Sequence, residues 1–249
     1  MTSSRAFVRL ALVAAPVGAG AFVIRGDIGV AAAVLGSVLV VSLPALAVAQ
    51  IGMVPPEELD TLPVYLSSAL LIALLGTGSL VVGLLELGAA AMGLSPGTSE
   101  RLLLWSAVAT AGGVAILVVA ALVSRWRGWR ETDLVRLLMP SSGVERRGFL
   151  VVSITAGIGE EVAYRAFLLG LLSTAFSAPW TAAAVTSIAF GLLHAYQGPV
   201  GMIRTGLIGF LFAAIVVITG SVWPVVVGHI MINLIAGLVL GDWLLQGEN

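Results

Sequence analysis

Long apolar runs, broken only briefly by charge, constrain this chain more than any other feature. A bilayer core of about 30 Å takes about 20 helical residues at 1.5 Å each. Eight stretches between Pro, Gly and charge clusters approach or exceed that length: 6–24, 28–51, 63–91, 101–123, 148–176, 180–196, 200–219 and 222–245. Composition agrees, with 59% hydrophobic and only 10% charged residues against about 25% charged in a soluble domain. Too little charge remains to cover a water-facing surface. The expected fold class is all-α, a polytopic membrane protein of about eight transmembrane helices with a polar intramembrane cavity. The first stretch, behind Arg5 and Arg9, also reads as a signal peptide with small residues near 18–21; an uncleaved span keeps the helix count even.

Several classes fall away at once. With no cysteine there is no thiol nucleophile, disulfide framework or cysteine-ligated metal. A net charge of −1 leaves no basic face to displace counterions, so no nucleic-acid partner is expected. Orientation follows arginine placement. A cytoplasmic N-terminus puts Arg5, Arg9, Arg125, Arg127, Arg130, Arg136, Arg146, Arg147 and Arg204 inside, and only Arg25 and Arg101 outside. Both termini are then cytoplasmic, and the lipid bilayer, as the plasma membrane of a prokaryote, is the expected location. The chain divides into four N-terminal spans (1–123), a basic cytoplasmic loop with a short interfacial helix near 131–139 (124–147), and a helical core (148–245).

Chemistry is sought where polarity costs most, because an ionisable group inside hydrocarbon is expensive unless paired or wet. The apolar runs hold Glu86, then Glu160, Glu161 and Arg165, and both histidines of the chain, His194 and His229. Glu86 reads as a helix-end residue or as a cross-helix partner of Arg204. Glu161 and Arg165 are an i,i+4 pair with the acid first, the favourable order. Glu160 is turned about 100° from Glu161, so one arginine cannot serve both, and Glu160 faces something else. A desolvated carboxyl gains proton affinity, which makes a general base near neutral pH. The competing reading is a single buried ionic knot of all three charges.

His229 and Asn233 share one helical stripe, and Phe190 with His194 repeats that spacing on another helix. Each histidine alone reads as well as an interhelical hydrogen-bonding residue; Tyr164 and Trp223 read as packing and interfacial aromatics. Counting from the hairpin turn at Ser177-Ala178-Pro179, Glu160 and His194 both lie roughly 22–26 Å away and can meet. His229 lies only about 12 Å past the Gly220-Ser221 turn, which places it nearer the outer side than its partners.

Glu-Glu-x-x-x-Arg, Phe-x-x-x-His and His-x-x-x-Asn, in this order on separate apolar helices, resemble the three motifs of the CPBP family of CaaX-protease and bacteriocin-processing (ABI) intramembrane peptidases. The resemblance covers roughly residues 148–240. It implies that Glu160 is the catalytic carboxylate and His194 its partner on an activated water, while His229 and Asn233 stabilise the oxyanion. Glu161 and Arg165 are then supporting structure, and Phe190 walls the pocket. The implied substrate is a membrane-embedded or lipid-anchored peptide.

The residues themselves suit amide hydrolysis, which needs a nucleophilic water, donors for the oxyanion and a proton for the leaving amine. No serine here sits in a nucleophile elbow. Two cofactor readings stand open. Glu160, His194 and His229 are a possible ligand set for a catalytic divalent metal such as Zn. Metal-free glutamate catalysis, requiring no cofactor, is the preferred one, since His-Glu-x-x-His is missing from the sequence. The alternative functions are an ion-coupled transporter, because buried Glu, His and Arg also mark ion paths, and a non-catalytic scaffold of the bacteriocin-immunity type.

Overall fold

The structure is a computed structural model that describes residues 28–51 and 59–245. Among these residues it is all-helical. We number its longer helices α1 (Val30–Ala49), α2 (Thr61–Glu86), α3 (Ser99–Arg127), α4 (143–176), α5 (Pro179–Leu193), α6 (Gly198–Thr219) and α7 (Trp223–Val239). Seven of the eight expected stretches are therefore helical, and 6–24 lies outside the described residues. Four helical stretches are long and apolar enough to cross a membrane: Val30–Ala49, Thr61–Glu86, Ser99–Arg127 and Ala195–Thr219. Helices α5 and α7 are shorter apolar helices, so the count of eight spans is not reached on length and composition. With this content the chain is an integral membrane protein.

Local chemistry explains the boundaries. The expected helix 63–91 stops at Glu86, because Gly88 takes φ +80° and the chain resumes as the single turn Gly88–Ala91. Helix α4 starts earlier than 148 because Ser142 and Glu145 form a reciprocal capping box that satisfies otherwise orphaned amides. At its far end Ser177, with φ 50°, turns the chain into α5, whose first position is Pro179. The expected interfacial helix shortens to Asp133–Leu137, capped by the Thr132 hydroxyl.

Helix α4 is the centre of the molecule. It packs on α2 and α7, while α5 pairs with α6, and α7 lies on α3. The α2 contact is close because it is made of glycine on both sides. A Cβ on Gly76 would stand 2.6 Å from the Gly159 Cα, and one on Gly159 would stand 2.7 Å from the Ile72 carbonyl oxygen. Backbones can approach this far only without side chains. Directly after Glu161 the helix widens to π-type bonding over Val162–Leu168, and six consecutive residues from Ala163 to Leu168 are buried. The Tyr164 hydroxyl donates to the carbonyl of Leu39, itself within a π-type stretch of α1 (Val38–Ser42), at 3.1 Å. The core is built around this segment, with Phe167, Leu171, Phe190, Phe212 and Val225.

The loop after α3 is fastened at both ends. Glu131 pairs with Arg204 of α6 at 2.6 Å, and the Thr132 hydroxyl donates to the carbonyl of Tyr196. Farther on, the hydroxyls of Thr61 and Tyr65 on α2 donate to the carbonyls of Leu137 and Leu138. Arg204, weighed above as a partner for Glu86, is thus engaged by Glu131.

The Gly76–Gly159 contact yields a prediction for unfolding in detergent. Gly76→Ala should destabilise by about 1–3 kcal/mol, the usual cost of overpacking. Gly78→Ala on the same helix, where an added Cβ meets nothing within 4 Å, should stay within about 0.5 kcal/mol. Equal effects at both positions would contradict the packing described. Tyr65→Phe should remove one hydrogen bond, worth about 0.5–1.5 kcal/mol, and speed amide exchange at 137–139 without altering α4; unchanged exchange there would contradict the fastening.

Candidate active site

Three helices supply the polar residues. From α4 come Glu160, Glu161 and Arg165; from the end of α5, Phe190 and His194; from α7, His229 and Asn233. Glu160, Glu161, Arg165 and Phe190 are buried, while His194, His229 and Asn233 are partly buried.

Glu161 is the electrostatic anchor. Its carboxylate has no solvent exposure, and a single oxygen, Oε1, accepts from Arg165 Nη1 at 3.2 Å and from His229 Nδ1 at 2.7 Å. The expected i,i+4 ion pair is therefore present, even though the helix between its members has π character. The His229 bond is an addition that spacing alone did not suggest. Arg165 lies with its guanidinium carbon 4.0 Å from the Phe190 ring centroid, a cation–π contact that compensates part of its desolvation. Helix α6 makes room for it with Gly209, where a Cβ would come within 2.9 Å of Arg165 Nη2.

Glu160 faces elsewhere, as its 100° rotation from Glu161 requires. Its Oε2 is buried without a hydrogen-bond partner, and His229 Nε2 stands 3.9 Å away. That separation is too long for a direct hydrogen bond and is within the span of a contact bridged by one oxygen atom. His194 caps α5 and turns its Nδ1 to the Phe190 carbonyl at 2.8 Å. A carbonyl only accepts, so Nδ1 carries the proton and the neutral ring keeps its lone pair on Nε2. Glu160, His229 and Arg165 are its charged or titratable neighbours.

Phe190 is the hub that gathers these groups. Its ring centroid lies 4.7 Å from that of His194, 6.3 Å from His229 and 5.2 Å from Tyr164. Phe212 of α6 closes the other side of His229 at 5.9 Å. Phe212 and Gly209 carried no sequence signal, because a phenylalanine and a glycine in an apolar helix read as ordinary packing. Asn233 lies one turn beyond His229 on α7 and makes no hydrogen bond among the described residues.

The outward placement expected for His229 is corrected by the turns. The Gly220-Ser221 turn does not stand level with Ser177. Val222 donates to the Gly93 carbonyl at 2.9 Å, and Trp223 Nε1 donates to the Leu94 carbonyl at 2.7 Å. The neighbouring Ala91 oxygen lies within 2.7 Å of where a Cβ on Gly170 would be. Gly170 is about seven residues, or roughly 10 Å, short of Ser177. The α6–α7 turn is therefore sunk toward the middle of α4, and His229 reaches the glutamates.

The possible metal set does not come together in this arrangement. Among the described residues no three His, Asp or Glu side chains are gathered closely enough to hold a metal ion. The Nδ1 of each ring is turned to a protein acceptor, the Phe190 carbonyl for His194 and Glu161 for His229, which leaves Nε2 of each ring for other contacts. In this arrangement the three side chains are not gathered as a ligand set, and no step runs through a metal.

No curated protein and no solved structure gives a significant match to the chain. A family model does: residues 146–235 match type II CAAX prenyl endopeptidase Rce1-like, a segment that contains Glu160, Glu161, Arg165, Phe190, His194, His229 and Asn233. Over that segment the chain is similar to the Rce1-like CAAX prenyl endopeptidases, in keeping with the CPBP family that its three motifs resemble.

Proposed function

We propose that this chain is an intramembrane endopeptidase that hydrolyses a peptide bond of a membrane-anchored or hydrophobic substrate with a water activated by Glu160 and His194. The observation that carries this reading is the Glu160 carboxylate, which makes no hydrogen bond among the described residues and whose Oε2 lies 3.9 Å from His229 Nε2. A purely structural carboxylate in such a place is expected to be paired, as Glu161 is.

The His194 Nε2 lone pair orients the water. As the water oxygen attacks the amide carbon, its proton passes to Glu160. The carbonyl oxygen becomes the oxyanion, and the Asn233 amide and the doubly protonated form of the His229 ring, which carries N–H on both nitrogens, stabilise it. Collapse of the intermediate breaks the C–N bond while Glu160 returns the proton to the amine nitrogen. The products are an amine and a carboxylic acid, with no net change at Glu160. Arginine-rich cytoplasmic loops support both termini in the cytoplasm and a prokaryotic plasma membrane as location. A prenyl group on the substrate is not required by any residue named here.

The reading is tested with the full-length protein in liposomes and a library of peptides carrying a C-terminal lipid anchor. Cleavage by wild type should fall about 100-fold or more in Glu160→Gln and His194→Ala, the scale of a lost general base. Asn233→Ala should lose about 10²–10³-fold in kcat, as for a lost oxyanion donor. Full cleavage by folded Glu160→Gln would overturn the assignment. Ion-dependent uptake by wild type without any cleavage would favour a transporter.

A further inference from the structure

Glu161 has a chemical consequence for His229 that goes beyond support. Glu161 Oε1 already accepts from the guanidinium of Arg165 at 3.2 Å, as one half of an ion pair. An ionised carboxylate can only accept hydrogen bonds. The 2.7 Å contact with His229 Nδ1 therefore requires the proton to be on Nδ1. The other ring nitrogen, Nε2, is the one turned to Glu160.

We infer that Glu161 is a positioning residue that fixes His229 in the Nδ1–H form and thereby presents Nε2, alone of its two nitrogens, to the reacting atoms. The inference rests on the peptidase reading of the same site and adds the state of one ring to it. A free neutral histidine exchanges between two tautomers, and the wrong one, protonated on Nε2, would turn the bare lone pair of Nδ1 toward the Glu161 carboxylate. When the ring is doubly protonated before substrate enters, Nδ1–H stays on Glu161 and the imidazolium charge lies against that carboxylate. That doubly protonated ring is the form in which Nε2 donates to an oxyanion. Arg165 pairs with Glu161 Oε1 and is itself held over the Phe190 ring, so the chain Arg165, Glu161, His229 orders one proton at a stated atom. Phe212 and Phe190 flank the ring and restrict its rotation.

The chain contains only two histidines, so nitrogen NMR on the full-length protein in nanodiscs with ring-labelled histidine gives two resolvable residues, assigned by comparison with His194→Asn. Wild-type His229 should show a protonated Nδ1 throughout, with the lone pair of the neutral ring on Nε2. In Glu161→Gln, whose amide is uncharged and can also donate, the Nε2–H tautomer should appear. Cleavage of a lipid-anchored fluorogenic peptide should then fall about 100-fold or more in kcat, the order seen when a histidine loses its orienting carboxylate, with KM within about threefold. Glu161→Asp, which keeps the charge, should keep the Nδ1–H form and recover part of the rate. A wild-type neutral ring protonated on Nε2 would overturn the inference, and so would folded Glu161→Gln with wild-type kcat. The spectrum needs no substrate: an Nδ1–H ring in a protein that cleaves nothing sinks the peptidase reading and leaves the positioning role standing.

Discussion

A carboxylate with no solvent exposure, in the middle of an apolar bundle, must be met by cations and donors or the bundle does not form. Glu161 is that group, and the arrangement around it follows from the need to satisfy it. Removing one member of a buried charge pair costs about 3–5 kcal/mol because the survivor is left uncompensated. Arg165 answers from its own helix and His229 from α7, so the requirement is at once local and long-range. Helices α4 and α7 are bound by it, and the aromatic rings that shield Arg165 bring in α5 and α6.

The same constraint separates two adjacent glutamates into two roles. Neighbours on a helix point in different directions, so satisfying Glu161 necessarily leaves Glu160 outside the ion pair. The result is one carboxylate paired through a single oxygen with Arg165 and His229, and one that makes no hydrogen bond, on consecutive residues. The π-type turn that follows, Val162–Leu168, is a local departure of the kind often found at functional sites. It buries Tyr164, Arg165 and Phe167 together while keeping the Glu161–Arg165 contact.

Much of this was legible in the sequence, and the failures have physical causes. Apolar runs mark helices because lipid allows no unpaired backbone, and the Ser177-Ala178-Pro179 hairpin and the Glu161–Arg165 spacing are local signals that transfer directly. Helix ends at Gly88 and Ser142 were displaced because a positive φ and a capping box act residue by residue. The π-type stretches leave no trace in a pattern read at one period. The level of His229 was misjudged because residue counting assumes turns at a common depth, whereas Gly93 and Gly170 let the α6–α7 turn sink. Its bond to Glu161 is a tertiary contact between residues 68 positions apart, which no spacing rule reaches.

The most direct test is an experimental structure of the full-length protein in a lipid nanodisc, at a resolution that fixes side chains around α4 and α7. The account predicts His229 Nδ1 within hydrogen-bonding distance of Glu161, Arg165 on the same carboxylate, and Glu160 turned toward Nε2 across a gap one oxygen atom can fill. Glutamates and imidazoles on different faces of the bundle, with apolar side chains packed between them, would contradict it.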